Sequence, residues 1–189
     1  MHDLIAAAHE LQEYLELQEW PFCFIGGLSV FRWGERRLTV DADVTLLTGF
    51  GGEEAYAGTL LRRYTSRIPD PIDFVVKNRV LLLYLNNQVP GDIAFGGLPY
   101  EEDVVRRSSY HEYETGRELR TCSAEDLVVM KAIASRPRDW QDIEGILIRQ
   151  TGKFDWTLVL DELSPLADLK EDPAIVPRLM KLRKALETG

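Results

Sequence analysis

The chain has 189 residues, of which 45% are hydrophobic and 28% charged, and its formal net charge is −9. These are the values of an ordinary globular protein of about one domain. The negative charge argues against a protein that coats nucleic acid through bulk charge, although a local basic groove is compatible with it. No apolar stretch approaches the roughly 20 residues that span a bilayer, so we expect no membrane partner.

The two cysteines and the N-terminus favour a cytoplasmic protein. Cys23 and Cys122 are too few for a disulfide framework and lack metal-site spacing, which favours a reducing compartment. The first residues form an amphipathic, acidic sequence without the basic and apolar regions of a signal peptide.

The first half of the chain predicts helices around a sheet. Apolar residues at helical spacing predict a helix over 3–19. An apolar run over 22–25, closed by Gly26-Gly27, predicts a buried strand that enters a tight turn. Further elements are expected as a short helix over 28–33, a strand over 38–47 and a helix over 53–64.

Three more strands are predicted over 72–76, 80–85 and 88–95. Asn86-Asn87 tolerates positive φ angles and therefore suits a tight hairpin between the last two. Residues 111–122 indicate one further edge element.

From Ser123 onward the pattern is helical. Ser123 and Asp126 approximate a capping box, and helices are expected over 127–134, 137–148, 155–168 and 174–187. The predicted fold class is α/β (α+β), with a mixed sheet flanked by helices. We expect a catalytic core over 1–122, including the N-terminal helix, and a helical subdomain over 123–189.

Two aspartates on the second strand suggest chemistry. Residues i and i+2 of a strand share a face, so Asp41 and Asp43 are expected to project together. Adjacent carboxylates repel unless a cation lies between them, and Mg²⁺ prefers oxygen ligands. Gly26 and Gly27 would let the backbone approach a phosphate closely. The alternative is a solvated strand face beside an ordinary turn.

A third carboxylate is expected from a later strand. Asp92 lies in an otherwise apolar strand, where an acid is costly unless it is paired or binds metal. Its alternative role is that of a turn residue after Gly91. Asp73, also in a predicted strand, is the rival candidate, but the Gly-Asp-Ile-Ala-Phe-Gly sequence favours Asp92.

Together these motifs resemble the nucleotidyltransferase superfamily, in particular its bacterial AbiEii-like and MenT-like toxin branch. The similarity rests on Phe24-Ile-Gly-Gly-Leu-Ser29, Arg37-Leu-Thr-Val-Asp-Ala-Asp43 and Asp92, and on Lys131 followed by Arg136-Pro-Arg-Asp-Trp-Gln-Asp142. The commoner turn in the family is Gly-Ser, and Gly27 stands here at the serine position.

The resemblance implies a role for each matching residue. Asp41, Asp43 and Asp92 would bind Mg²⁺ or Mn²⁺, and Asp92 would activate the acceptor hydroxyl or complete the metal shell. The residues implied in nucleotide binding are Gly26, Gly27, Ser29, Arg37 and Lys131. Asp142 is implied in catalysis: with Asp139 it would orient Lys131 or an arginine, unless both simply favour the helix dipole.

The implied reaction is metal-dependent transfer of a nucleoside monophosphate from a nucleoside triphosphate (NTP) to an acceptor hydroxyl. In the toxin branch the acceptor would be RNA, such as the tRNA 3′ end, or a protein, and a cognate antitoxin would neutralise the enzyme. Two alternatives are a catalytically silent protein that binds nucleotide or a partner, and a small-molecule nucleotidyltransferase of the aminoglycoside type. Candidate RNA contacts, with a solvated face as the alternative, are Arg62, Arg63, Arg67, Arg106 and Arg107.

Overall fold

A computed structural model describes residues 1–187. The chain divides into two compact units. The first unit contains Met1–Leu28 and Leu38–Cys122, and the second contains Ser29–Arg37 and the chain from Ser123 onward. In the described residues, no helix is long and apolar enough to cross a membrane.

The first unit is built on a mixed seven-stranded sheet in the order β3-β4-β5-β2-β1-β7-β6. Its strands are β1 (Phe22–Phe24), β2 (Ala42–Leu47), β3 (Thr65–Ser66), β4 (Val80–Tyr84), β5 (Pro90–Gly96), β6 (Ser109–Glu114) and β7 (Arg117–Thr121). The β2–β5 and β1–β7 pairs are parallel, and the other neighbours are antiparallel. The expected mixed sheet with flanking helices is thus confirmed.

Helices pack around this sheet and complete one hydrophobic core. They are α1 (His2–Leu17), α3 (Glu53–Leu61), α4 (Pro71–Asn78) and α5 (Pro99–Arg107). The core joins Leu11 and Leu15 of α1 to Phe24, Val44 and Ile93 of the central strands, and all five are 2% exposed or less. Each such side chain stabilises the fold by about 1.5–3 kcal/mol through removal of apolar surface from water.

The second unit is helical. It contains α6 (Ala124–Ala134), α7 (Pro137–Arg149), α8 (Trp156–Leu169) and α9 (Ile175–Glu187). The Ser123 hydroxyl caps α6 by accepting a hydrogen bond from the Asp126 amide at 3.0 Å. Helix α2 (Gly26–Trp33) starts in the first unit and ends in the second.

Two glycines allow the segment Ser29–Arg37 to pack closely against α7. A β-carbon at Gly34 would lie 2.9 Å from a side-chain carbon of Ile146, and one at Gly145 would lie 3.1 Å from a side-chain carbon of Glu35. A larger residue at either position would therefore require the neighbouring side chain to shift.

The predicted strand over 72–76 is wrong, because these residues lie in α4. Pro71 occupies the first turn of this helix, where its missing N–H costs nothing. The strand expected over 38–47 begins only at Ala42, and the element expected over 111–122 consists of β6 and β7.

The predicted hairpin is confirmed. β4 and β5 pair as antiparallel neighbours, and Asn87 between them has a φ of 55°. Helix α5 was not predicted. Its N-terminus is capped from within the helix, since the Glu101 carboxylate accepts hydrogen bonds from the amides of Gly97 at 2.7 Å and Leu98 at 2.9 Å.

Candidate active site

The two glycines form the N-terminus of α2, directly after β1. Gly26 has a φ of +59°, a backbone conformation that residues other than glycine rarely adopt. A β-carbon at Gly26 would lie 1.8 Å from Oδ2 of Asp43, and one at Gly27 would lie 2.1 Å from Oγ1 of Thr39. The glycine pair is thus required by the close approach of α2 to the aspartate segment.

Asp43 lies at this helix N-terminus. The Gly27 amide donates a long hydrogen bond of 3.4 Å to Oδ2 of Asp43. Asp43 is the second residue of β2 and is half-buried. A carboxylate is stabilised by the unpaired amides and the positive end of the dipole at a helix N-terminus.

Asp41 immediately precedes β2 and is held by Thr39. The Thr39 hydroxyl donates to Oδ1 of Asp41 at 2.9 Å, while Thr39 itself is only 6% exposed. Each glycine therefore packs against a group that supports the carboxylates: Gly26 contacts Asp43 directly, and Gly27 contacts the threonine that orients Asp41.

Asp43 and Asp92 lie opposite each other on adjacent parallel strands. Their Cα atoms are register partners in the β2–β5 pair, and both residues are half-buried. Neighbouring strands are about 4.8 Å apart and register partners project to the same face. The structure therefore brings together two carboxylates that are 49 positions apart in the sequence.

Asp92 also has a cationic partner, because the Arg67 guanidinium forms an ion pair with its Oδ1. The rival candidate Asp73 is excluded by position. It lies on α4, where it is exposed and pairs with Lys77 one turn further along the helix at 2.6 Å. Asp73 therefore does not lie on the sheet, and a metal-binding role for Asp92 stays a prediction.

The donor atoms suit a hard divalent cation, since Asp43 and Asp92 present carboxylate oxygens from neighbouring strands. A third nearby ligand is not shown: over residues 1–187, no three or more His, Cys, Asp or Glu side chains form a group that could hold a metal ion. Asp41 accepts a hydrogen bond from Thr39, and Asp92 forms an ion pair with Arg67. Metal binding by all three aspartates remains a prediction.

The second unit contains a separate, buried charge network. Lys131 on α6 is 6% exposed, and its Nζ donates to Asp142 at 2.6 Å and to Asp139 at 3.3 Å. Arg37 donates to both oxygens of Asp142, through Nε at 2.8 Å and Nη2 at 2.9 Å. Asp142 therefore orients a lysine and an arginine at the same time.

This network changes the acidity of its carboxylates. Burial raises the pKa of Asp142, but the hydrogen bonds and charges of Arg37 and Lys131 outweigh it, so that the pKa is below its ordinary value of 3.8. Burial likewise raises the pKa of Asp139, and Arg136 and Lys131 lower it further than burial raises it. Asp139 also accepts a hydrogen bond from the Arg136 amide at 3.2 Å, which caps α7.

The structure adds to the sequence-based interpretation at three residues. Ser29, predicted to bind nucleotide, is fully buried on α2 and has no surface accessible to a ligand in this conformation. Thr39 was not singled out, although its spacing of two from Asp41 signals a shared face. Arg67 was grouped with possible RNA contacts, and nothing in the sequence links it to Asp92.

No protein-family model matches the sequence, and the search of curated proteins finds no match. Solved structures do match. An antigenic nucleotidyltransferase-like protein from Paracoccidioides brasiliensis superposes with a TM-score of 0.57 at 12% identity, over 95% of this chain and 93% of its own.

Two proteins whose names refer to antibiotics are also similar. The lincosamide antibiotic adenylyltransferase LnuA gives a TM-score of 0.51 at 12% identity, over 75% of this chain and 94% of its own. The antibiotic-resistance factor ANT(2″)-Ia gives 0.50 at 17% identity, over 98% and 97%. None of these three structures is named as an AbiEii-like or MenT-like toxin. At these identities the similarity establishes the fold: the chain has the nucleotidyltransferase fold.

Proposed function

We propose that this protein is a metal-dependent nucleotidyltransferase. An acceptor hydroxyl attacks the α-phosphorus of an NTP, the bond from that phosphorus to the bridging oxygen breaks, and pyrophosphate leaves with the bonding electrons. The hydroxyl proton passes to a carboxylate or to water. The observation that carries the proposal is the register pairing of Asp43 with Asp92 beside the N-terminus of α2.

Different residues of the first unit would bind the phosphates and the metal ion. The amides and the dipole at the N-terminus of α2 attract phosphate oxygens, and the motif resemblance assigns this role to Gly26 and Gly27. Asp43 and Asp92 would hold Mg²⁺ or Mn²⁺ from neighbouring strands, and the motif resemblance adds Asp41 as the third carboxylate. When bound, the cation offsets phosphate charge and favours ionisation of the acceptor hydroxyl.

The motif resemblance implies that Lys131 contacts the triphosphate, and we include this role in the proposal. The Lys131 ammonium donates to Asp139 and Asp142, and Asp142 also holds Arg37 in a fixed orientation. Fixed cations stabilise phosphoryl transfer because they need no reorganisation during the reaction.

The acceptor we favour is a small hydroxylated molecule. Among the similar structures, one is named as a lincosamide adenylyltransferase and another as an antibiotic-resistance factor. The net charge of −9 suits a cationic small molecule better than a polyanion. An RNA or protein acceptor and a cognate antitoxin remain predictions from the motif resemblance, as does a cytoplasmic location.

A labelling experiment tests the activity. The protein is incubated with Mg²⁺ and each of the four α-³²P-labelled NTPs, together with aminoglycosides, lincosamides, total RNA or protein extract. We expect label in a small-molecule acceptor, and a loss on the order of 100-fold in Asp43→Asn and Asp92→Asn.

The matched control is Asp73→Asn, which removes an exposed acid on α4 and should retain activity. Label in RNA or protein instead would replace the small-molecule acceptor with a macromolecular one. Absence of transfer by the folded protein to every acceptor, or full activity in Asp43→Asn, would contradict the proposed function.

A further inference from the structure

A row of four residues crosses the sheet at the candidate site. The Arg67 amide, directly after β3, donates to the Leu82 carbonyl at 3.0 Å. Leu82 is the register partner of Asp92, and Asp92 is the register partner of Asp43. Arg67 is thus fixed by backbone pairing two strands away from Asp92, and its side chain reaches across Leu82 to the carboxylate.

The Arg67–Asp92 ion pair affects the charge at the Asp43–Asp92 pair more than the stability of the fold. The Arg67 side chain is 28% exposed and that of Asp92 is 36% exposed, so water reaches both groups. Ion pairs with this degree of exposure contribute little to folding. Next to the Asp43–Asp92 pair, however, a guanidinium offsets one of two adjacent negative charges and occupies an oxygen of Asp92.

A divalent cation at this pair needs the same oxygens. Mg²⁺ and Mn²⁺ bind carboxylates as hard oxygen ligands, and a positive charge held within ion-pair distance opposes the approach of a second cation. Arg67 also donates a hydrogen bond from Nη1 to Oδ1 of Asp92, so the competition depends on both charge and hydrogen bonding.

We propose that Arg67 competes with the divalent cation for Asp92. In the absence of the cation the guanidinium holds the carboxylate, and cation binding requires Arg67 to release it. Arg67 is therefore a positioning residue that sets the metal affinity of the site. The inference rests on the proposed function, because it takes Asp43 and Asp92 as the metal-binding pair.

The test measures Mn²⁺ affinity of the full chain by calorimetry and by the electron paramagnetic resonance of free Mn²⁺, without nucleotide or acceptor. Arg67→Met and Arg67→Gln remove the charge and keep much of the side chain. We expect both variants to bind Mn²⁺ about tenfold more tightly than the unmodified protein. Arg106→Met removes the same charge from an exposed pair with Asp103 on α5 and should leave the affinity unchanged.

Asp43→Asn separates failure of this inference from failure of the proposed function. If Asp43→Asn weakens Mn²⁺ binding while both Arg67 variants bind as the unmodified protein does, or more weakly, the competition is overturned and the metal site stands. If Asp43→Asn has no effect on Mn²⁺ binding, both ideas are overturned. In an Asp92→Asn background, Arg67→Met should no longer change the affinity, and an unchanged tenfold gain there would overturn the competition.

Discussion

Gly26 and Asp43 are in such close contact that a β-carbon at Gly26 would lie 1.8 Å from the carboxylate oxygen Oδ2. Glycine is therefore required at this position to leave room for the Asp43 carboxylate, whether or not a phosphate binds nearby. The positive φ of +59° adds a conformational reason for the same residue. Steric displacement of Asp43 and backbone strain can be separated experimentally.

Gly26→Ala should abolish Mn²⁺ binding and nucleotidyl transfer, because the new methyl group must push Asp43 out of line with Asp92. The control is Gly116→Ala, at a φ of +74° with nothing within 4 Å of the added carbon. Both variants should lose about 1–2 kcal/mol of stability from left-handed backbone strain. Mn²⁺ titration and thermal unfolding measure the two effects, and unimpaired Mn²⁺ binding by Gly26→Ala would refute the steric role.

Thr39→Val should lower transfer by about tenfold, since a hydrogen bond to a charged group contributes about 1.5–3 kcal/mol and part of this energy orients Asp41. Thr39→Ser keeps the hydroxyl and should keep most of the activity. Steady-state rates at saturating NTP give the comparison. Equal rates for the valine and serine variants would mean that the hydroxyl does not position Asp41 for catalysis.

Asp142→Asn should destabilise the protein by about 3 kcal/mol, because it leaves Lys131 buried with only Asp139 as an anionic partner and removes the ion pair between Arg37 and Asp142. Glu144→Gln on the exposed face of the same helix should change stability by less than about 0.5 kcal/mol. Urea unfolding followed by circular dichroism measures both. A similar change in the two variants would show that the network adds no stability.

Acid should destabilise the protein through the same network. The pKa of Asp142 and that of Asp139 are lower in the folded protein than their ordinary value of 3.8. Their contribution is therefore complete well above pH 3.8 and is lost as pH falls through this value toward the lower folded pKa. The free energy of unfolding, measured in urea from pH 6 to pH 2.5, should fall less steeply in Asp142→Asn. Parallel curves would exclude Asp142 as a source of acid sensitivity.

Helix α4 shows where local pattern was misleading. Ile72, Val75 and Val76 favour a strand by propensity, yet the segment is helical, with Pro71 in its first turn. Of these three, only Val75 is buried, and Val76 is 48% exposed. The helix therefore directs Val75 into the core and leaves Val76 at the surface. Asp70-Pro71 was the available signal, because proline is common at the first position of a helix.

Some residues of the candidate site could be predicted from local sequence, and others depend on contacts between distant parts of the chain. Asp41, Asp43 and the glycines could be selected because alternation and turn chemistry act over a few residues. The pairing of Asp92 with Asp43 depends on strand order, which the motif resemblance supplied and spacing alone does not. The contact of Arg67 with Asp92 depends in addition on the register of β4, so the sequence alone did not reveal it.

The second unit is discontinuous along the chain, since it includes Ser29–Arg37 as well as the residues after Cys122. No single cut in the gene separates the two units cleanly. A fragment that ends at Cys122 would retain Arg37 without the carboxylate of Asp142, and its complement would have Lys131 and Asp142 without that arginine. Fragment expression and domain exchange with proteins of the same fold therefore need three junctions: one on each side of Ser29–Arg37 and one after Cys122.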